Sequence, residues 1–153
     1  MTNPIGGTPV SAWRPIVEED LSYRIVGCFF RVYNALGYGF LESLYSKAMV
    51  IALRQAGLRV ECEVPVSVFF DGIEVGKHRI DLLVEGRAIL ENKSTEKLSD
   101  IPKRQLRSYL TAAHLELGII LHFGPRPAYY RVLHKPKAEP SKNDSAHSGN
   151  SDE

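Results

Sequence analysis

The chain has 153 residues, 44% of them hydrophobic, and its 19 Lys and Arg nearly balance 18 Asp and Glu for a formal net charge of +1. This length predicts one domain with a hydrophobic core of its own. The charge balance excludes a globally basic protein, so any nucleic-acid surface must be local. Cys28 and Cys62 lack the spacing of a metal or redox motif, which favours a reducing compartment.

The chain ends carry no signal of a membrane or secreted protein. Residues 1–16 contain no apolar run of signal-peptide length, and no later window approaches a membrane span. Residues 135–153 consist largely of Pro, Ser, Asn, Lys and Asp, a composition typical of disorder. We therefore expect a cytoplasmic protein with an N-terminal arm (1–16), one domain (17–134) and a disordered tail (135–153).

Two helices are predicted first. Apolar residues recur at helical spacing over residues 17–36, and Gly37 follows as a stop signal. After a turn at Gly37-Tyr38-Gly39, a second helix runs to about residue 55. Its predicted buried face consists of Leu41, Leu44, Tyr45, Ala48, Ile51 and Ala52. Glu42 lies near the start of this helix, where the macrodipole favours any acidic side chain.

Strands dominate the rest of the domain. Strands are predicted over residues 58–70, 73–84, 88–93, 117–123 and 129–133, with a helix to about residue 113 between the third and fourth. We expect an interruption of the first strand at Pro65 and a helix cap at Ser99 or Asp100. The order α-α-β-β-β-α-β-β predicts an α/β (α+β) domain, in which a helical crossover leads to the fourth strand.

The most informative segment is a hairpin over residues 80–94. Apolar runs flank a turn at Glu85-Gly86-Arg87, and a turn centred on Gly86 places Asp81 opposite Glu91, with β-carbons about 4.5–5.5 Å apart. Facing carboxylates repel each other unless a cation lies between them, and Mg²⁺ is commonly held by one or two carboxylates. Lys93 shares the strand face of Glu91. A two-residue turn would instead put Asp81 on the other face.

Several segments together indicate a known family. Asp81 followed by Glu91-Asn92-Lys93 resembles the signature of the PD-(D/E)XK nuclease superfamily. The segment Gly39-Phe40-Leu41-Glu42-Ser43-Leu44-Tyr45 is similar to the motif of the GxxExxY family, a bacterial branch of that superfamily. The segment from Gln105 to Leu110 resembles the helix after the active strand. Two departures are Asn92, where an apolar residue is usual, and His122, where an Asn is more usual.

The resemblance implies a restriction-endonuclease-like core, a mixed sheet flanked by helices, and a nuclease that uses Mg²⁺ or Mn²⁺ to hydrolyse nucleic acid, with DNA expected. It implies that Asp81 and Glu91 are catalytic metal ligands, that Glu42 is an auxiliary acid bound to the metal directly or through water, and that Lys93 is the charge-stabilising group. Gly39 and Tyr45 complete the upstream motif. Tyr45 also lies on the apolar stripe, which favours a core position.

Phosphate contacts are expected on the helix after the active strand. The candidate nucleic-acid-binding residues are Lys103, Arg104, Gln105 and Arg107. A solvated basic face explains the three cations equally well. His78 and Arg79 could also reach phosphate or lie on the surface, and the other histidines are interpreted as structural.

Two other functions fit the same residues. A nuclease-like fold could be a catalytically silent module that binds nucleic acid or protein, which the near-neutral charge favours. A hydrolase of small phosphorylated molecules would use the same carboxylates. The expected partner is nucleic acid rather than a membrane, and a homodimer stays open.

Overall fold

The computed structural model describes residues 18–135, so the predicted N-terminal arm and nearly all of the predicted tail lie outside the described residues. The elements are α1 (Glu18–Leu36), α2 (Glu42–Gln55), β1 (Val60–Phe70), β2 (Ile73–Val84), β3 (Ala88–Lys93), α3 (Ile101–Ala113), β4 (Leu117–Phe123) and β5 (Pro127–Leu133). Their order is the predicted one. Among these described helices, none is long and apolar enough to cross a membrane.

The strands form one mixed sheet in the order β1-β2-β3-β4-β5. Neighbouring strands are antiparallel except β3 and β4, which run parallel. Parallel neighbours need a crossover connection, and α3 supplies it. The fold is therefore the predicted restriction-endonuclease-like α+β architecture.

Helices cover both faces of this sheet. On one face, α1 and α2 bury a large core in which Phe29 and Tyr45 pack against Leu90 and Phe123. On the other face, α3 buries a smaller core through Leu106 and Leu110. Full burial of side chains of this size contributes about 1.5–3 kcal/mol each, so α3 is held firmly against the sheet.

The predicted buried face of α2 is partly wrong. Tyr45 and Ala52 are buried, but Leu41, Leu44 and Ile51 are 74%, 44% and 59% exposed. The buried residues of α2 are Tyr45, Met49, Ala52 and Leu53. These positions follow i, i+4, i+7 and i+8, which is one helix face. Because α2 is apolar on more than one side, spacing alone did not select the face that packs.

The predicted interruption at Pro65 is also wrong. β1 is continuous, and Pro65 pairs with Arg79 of β2. The reason is the position of β1 at the edge of the sheet, where a residue without an N–H group is tolerated. The first half of β2 pairs with β1 and not with β3, so this part of the β1–β2 hairpin projects past the end of β3.

Candidate active site

The β2–β3 hairpin has the register on which the site prediction depends. Val84 pairs with Ala88, and Leu82 pairs with Leu90. Glu85 and Gly86 have φ values of 54° and 62°, the left-handed conformation that closes this turn. Continuing the register by one residue sets Asp81 opposite Glu91, and both carboxyl groups line the same cavity. The predicted three-residue turn is therefore confirmed.

Side chains along β2 stop alternating between the two faces of the sheet at Asp81. Cys62 and Val64 of β1 pair with β2, but Glu63, between them, does not pair with Asp81 and has φ 52°. Ile80 packs in the core under α3, whereas Leu82 packs in the core under α1 and α2. Irregularities of this kind redirect side chains next to active sites. This break in alternation brings His78 to the same side of the sheet as Asp81, which strict alternation would not predict.

One cavity of about 200 Å³ collects the predicted catalytic residues. It is lined by Glu42, His78, Asp81, Glu91, Lys93, Pro102, Gln105 and Tyr109, and we call it the carboxylate pocket. All four predicted catalytic residues are included, although they come from α2, β2 and β3. The α3 residues at its border stand three and four positions apart, which is one helix face.

The electrostatics of the carboxylate pocket centre on Glu91. This side chain is buried, and its Oε1 has no hydrogen-bond partner. Burial, together with the nearby Asp81 carboxyl, raises the pKa of Glu91 to about 8, and the Lys93 ammonium offsets only part of this increase. A buried carboxylate with an unsatisfied oxygen is costly to maintain. The pocket therefore favours a positive ligand.

The donor set fits a divalent cation. Asp81 and Glu91 supply carboxylate oxygens, which Mg²⁺ and Mn²⁺ prefer. Within residues 18–135, no three His, Cys, Asp or Glu side chains enclose a metal-sized position as they are placed. A cation held here would therefore complete its coordination with water or substrate oxygens, as Mg²⁺ commonly does.

Glu42 borders the same pocket from the first turn of α2. Its Oε2 accepts a hydrogen bond from the backbone N–H of Ser94 at 3.3 Å, and the Ser94 hydroxyl donates to the Phe40 carbonyl at 2.8 Å. These two contacts join the start of α2 to the end of β3. Glu42 adds negative charge to the pocket, since it raises the pKa of Glu91.

The other two residues of the upstream motif are structural in this fold. Gly39 has φ 119°, a conformation that side-chain-bearing residues rarely adopt. Tyr45 is fully buried, and its hydroxyl donates to the Gly37 carbonyl and accepts from the Phe40 N–H. Tyr45 therefore fixes the turn that presents Glu42, and it does not line the carboxylate pocket.

Three pocket residues, His78, Pro102 and Tyr109, were not among the predicted site residues, although His78 was considered as a phosphate contact. The rings of His78 and Tyr109 are stacked, with centroids 3.3 Å apart and an interplanar angle of 8°. Burial lowers the pKa of His78, which favours the neutral imidazole. Tyr109 could have been predicted, because it stands four residues after Gln105 and therefore lies on the same face of α3. His78 had no such signal, because the break in alternation at Asp81 is invisible in the sequence.

The predicted nucleic-acid-binding residues divide between two sites. Gln105 lines the carboxylate pocket, whereas Lys103, Arg104 and Arg107 line a separate cavity with Asp100. We call these three cations the basic patch. The Lys103 ammonium lies 3.9 Å from Asp100 Oδ1 and 3.9 Å from the ring centroid of Tyr130. The two arginines form no ion pair within residues 18–135.

Both departures from the family pattern lie outside the pocket. Asn92 is buried on the opposite face of β3, where its Nδ2 donates to Ser46 Oγ at 2.9 Å. His122 is buried, and its Nε2 lies 2.7 Å from the Thr95 carbonyl. Neither substitution removes a group from the carboxylate pocket.

A larger cavity of about 470 Å³ adjoins the carboxylate pocket. Glu42 and Asp81 line both cavities, and Ser43, Ser46 and Lys47 of α2 line the larger one. The two acids therefore stand at the junction of two openings.

Similarity to a known protein family extends over most of the chain. A solved chain titled "Crystal structure of SSO0001" is similar over 62% of this chain, with 23% identity and a TM-score of 0.49; the match spans 50% of that chain. No curated protein is significantly similar. The sequence profile described as PD-(D/E)XK nuclease superfamily matches residues 19–132. The chain therefore belongs to the PD-(D/E)XK nuclease superfamily.

Proposed function

We propose that the protein is a nuclease that uses Mg²⁺ or Mn²⁺ to hydrolyse phosphodiester bonds of nucleic acid, with DNA as the polymer. The observation that carries this proposal is the buried pair Asp81 and Glu91, which shares one pocket with Lys93. Superfamily membership supports a nucleic-acid substrate. A divalent metal, when bound, lowers the pKa of a coordinated water and neutralises charge on the phosphate.

Each pocket residue has a distinct proposed role. Asp81 and Glu91 hold the metal through carboxylate oxygens, and burial of Glu91 excludes bulk water from one side of it. Lys93 places an ammonium where negative charge develops on the phosphate. Gln105 offers an amide to the substrate from α3. The four side chains come from three elements fixed by two cores, so their arrangement is held before substrate binds.

Glu42 is proposed as the auxiliary acid. Its Oε2 already accepts the Ser94 N–H, and within residues 18–135 no hydrogen bond is formed by Oε1. We therefore favour an indirect role, in which Glu42 holds a water beside the metal. Gly39, Glu42 and Tyr45 stand at the spacing of the upstream motif, which supports assignment to the GxxExxY branch.

The basic patch is proposed to contact backbone phosphates outside the reacting group. Arg104 and Arg107 are exposed, and they lie on the helix that also carries Gln105. Phosphate contacts of this kind position a duplex without reading its sequence.

The cytoplasmic location and the homodimer stay predictions. Light scattering of wild type and of Phe70→Glu would test self-association through the exposed apolar tip of the β1–β2 hairpin.

A cleavage assay tests the proposal. Single-stranded DNA, double-stranded DNA and RNA are incubated with the protein in Mg²⁺, in Mn²⁺ and in EDTA, with Glu91→Gln as the matched inactive variant. We expect metal-dependent cleavage of DNA by the wild type and none by the variant. Metal-independent binding of nucleic acid without cleavage would support the silent module, and turnover of nucleotides alone would support a small-molecule hydrolase.

A further inference from the structure

Two buried polar atoms in the carboxylate pocket face each other without hydrogen-bond partners. They are Nε2 of His78 and Oε1 of Glu91, and they lie 3.9 Å apart. Buried polar atoms in folded proteins are nearly always hydrogen-bonded, so each exception calls for an explanation. Residues 18–135 contain four such atoms, the other two being Ser22 Oγ and Asn92 Oδ1, and only the His78 and Glu91 atoms adjoin each other in one pocket.

Direct contact does not explain this pair. A separation of 3.9 Å is too long for a hydrogen bond. The His78 ring cannot turn freely to find another partner, because it is stacked on Tyr109. The break in alternation at Asp81 also directs His78 to this side of the sheet. Backbone and ring packing therefore both hold Nε2 towards Glu91.

A shared metal ion explains the separation. With metal–ligand distances of about 2.1 Å, two ligands lie roughly 3.0 Å apart at a right angle and roughly 4.2 Å apart on opposite sides. The observed 3.9 Å falls inside this range. Asp81 lies opposite Glu91 in the β2–β3 register and lines the same pocket, so His78 and Asp81 both adjoin Glu91. The three groups do not enclose a metal-sized position as placed, so ligation requires them to close on one.

We propose that Nε2 of His78 is a metal ligand alongside Asp81 and Glu91, and that this nitrogen gives the site a preference for Mn²⁺ over Mg²⁺. This inference rests on the proposed metal-dependent function. Mg²⁺ is a hard ion that takes oxygen ligands almost exclusively. Nitrogen donors bind the transition metals better, so replacing one oxygen ligand by imidazole penalises Mg²⁺ more than Mn²⁺.

Pulsed electron paramagnetic resonance of bound Mn²⁺ tests the ligand directly. We expect nitrogen hyperfine coupling in the wild-type protein loaded with Mn²⁺, and we expect that coupling to change when the histidines alone carry ¹⁵N. Selective labelling separates a histidine ligand from the amine of Lys93. His78→Phe preserves a ring that can stack on Tyr109 but removes both nitrogens, so the coupling should disappear. His114→Phe, at an exposed position, is the matched control.

Calorimetry of the same variants supplies the affinity. We expect His78→Phe to lower Mn²⁺ affinity by about 10–100-fold, the loss that is typical when a residue that holds a metal ion or orients its ligands is removed. Mg²⁺ affinity should change less. His78→Gln, which restores a polar side chain, gives a second variant should the first fold poorly. The His114→Phe control should match the wild type.

Specific results would overturn the inference. His78 is not a metal ligand if the wild-type protein binds Mn²⁺ without nitrogen coupling. The same conclusion follows if His78→Phe binds Mn²⁺ with wild-type affinity. If Glu91→Gln still loses Mn²⁺ in those experiments, the proposed nuclease site stands without His78. If the wild type binds neither metal, both the inference and the proposed function are wrong.

Discussion

The carboxylate pocket and the basic patch lie on two sides of α3 and differ in how their charges are held. In the pocket, the acidic side chain of Glu91 is buried, and its pKa is raised to about 8. On the patch, Arg104 and Arg107 are exposed to solvent. Buried charge is fixed in geometry and weakly screened, whereas exposed charge is mobile and screened by salt. The comparison predicts that the pocket determines rate and the patch determines affinity.

Removing the ammonium from the pocket should have the largest effect on activity. We expect Lys93→Ala to lower the cleavage rate by about 10²–10³-fold, the effect of losing one group that stabilises transition-state charge. DNA affinity should stay nearly unchanged. Single-turnover cleavage at saturating DNA and Mn²⁺ measures the rate, and Lys97→Ala, at an exposed lysine after β3, is the matched control. Wild-type rates in Lys93→Ala would remove Lys93 from the chemistry.

Removing cations from the basic patch should have the converse effect. We expect Lys103→Ala with Arg107→Ala to weaken DNA binding and to flatten its salt slope by about two, since each duplex phosphate contact contributes about 0.9. The rate at saturating DNA should match the wild type. Fluorescence anisotropy over a salt series measures the slope, with Arg31→Ala on α1 as control. An unchanged slope would show that the patch is only a solvated face.

The smallest effect is expected on the other face of β3. Asn92 donates to Ser46, so removing one partner alone would leave the other unpaired. We expect Asn92→Leu with Ser46→Ala to keep the free energy of unfolding within about 1 kcal/mol, because replacing both partners by apolar groups is nearly neutral. Cleavage should be unchanged. Denaturant unfolding checks the first expectation, and a large loss of cleavage would show that this face supports the chemistry.

Much of this site could be predicted from the sequence because its signals are local. The hairpin turn at Glu85 and Gly86 sets the register, and the register alone pairs Asp81 with Glu91. Strand period then places Lys93 beside Glu91. The helix–strand order followed from apolar spacing, and even the bounds of β2, β3 and β4 agree with the prediction.

The rest depended on tertiary packing, which no local pattern encodes. His78 reaches the pocket because side-chain alternation along β2 is interrupted opposite Glu63, a residue with positive φ where the β1–β2 pairing is broken. The buried face of α2 was set by what α1 and the sheet contact, because apolar residues occur on several sides of that helix. The separation of the basic patch from the pocket likewise depends on which face of α3 packs on the sheet.

The central claim is that the buried carboxylates hold a divalent cation, and thermal unfolding of wild type and Glu91→Gln tests it most directly. Because the folded-state pKa of Glu91 is raised, ionisation of Glu91 destabilises the fold as pH rises from its unfolded pKa through about 8. In EDTA at about pH 9, Glu91→Gln should therefore melt higher than wild type, by roughly 3–6 °C for each 1 kcal/mol of this destabilisation. In Mn²⁺, binding to the folded state should raise the wild-type Tm above that of the variant. Equal responses of the two proteins to Mn²⁺ would contradict the account.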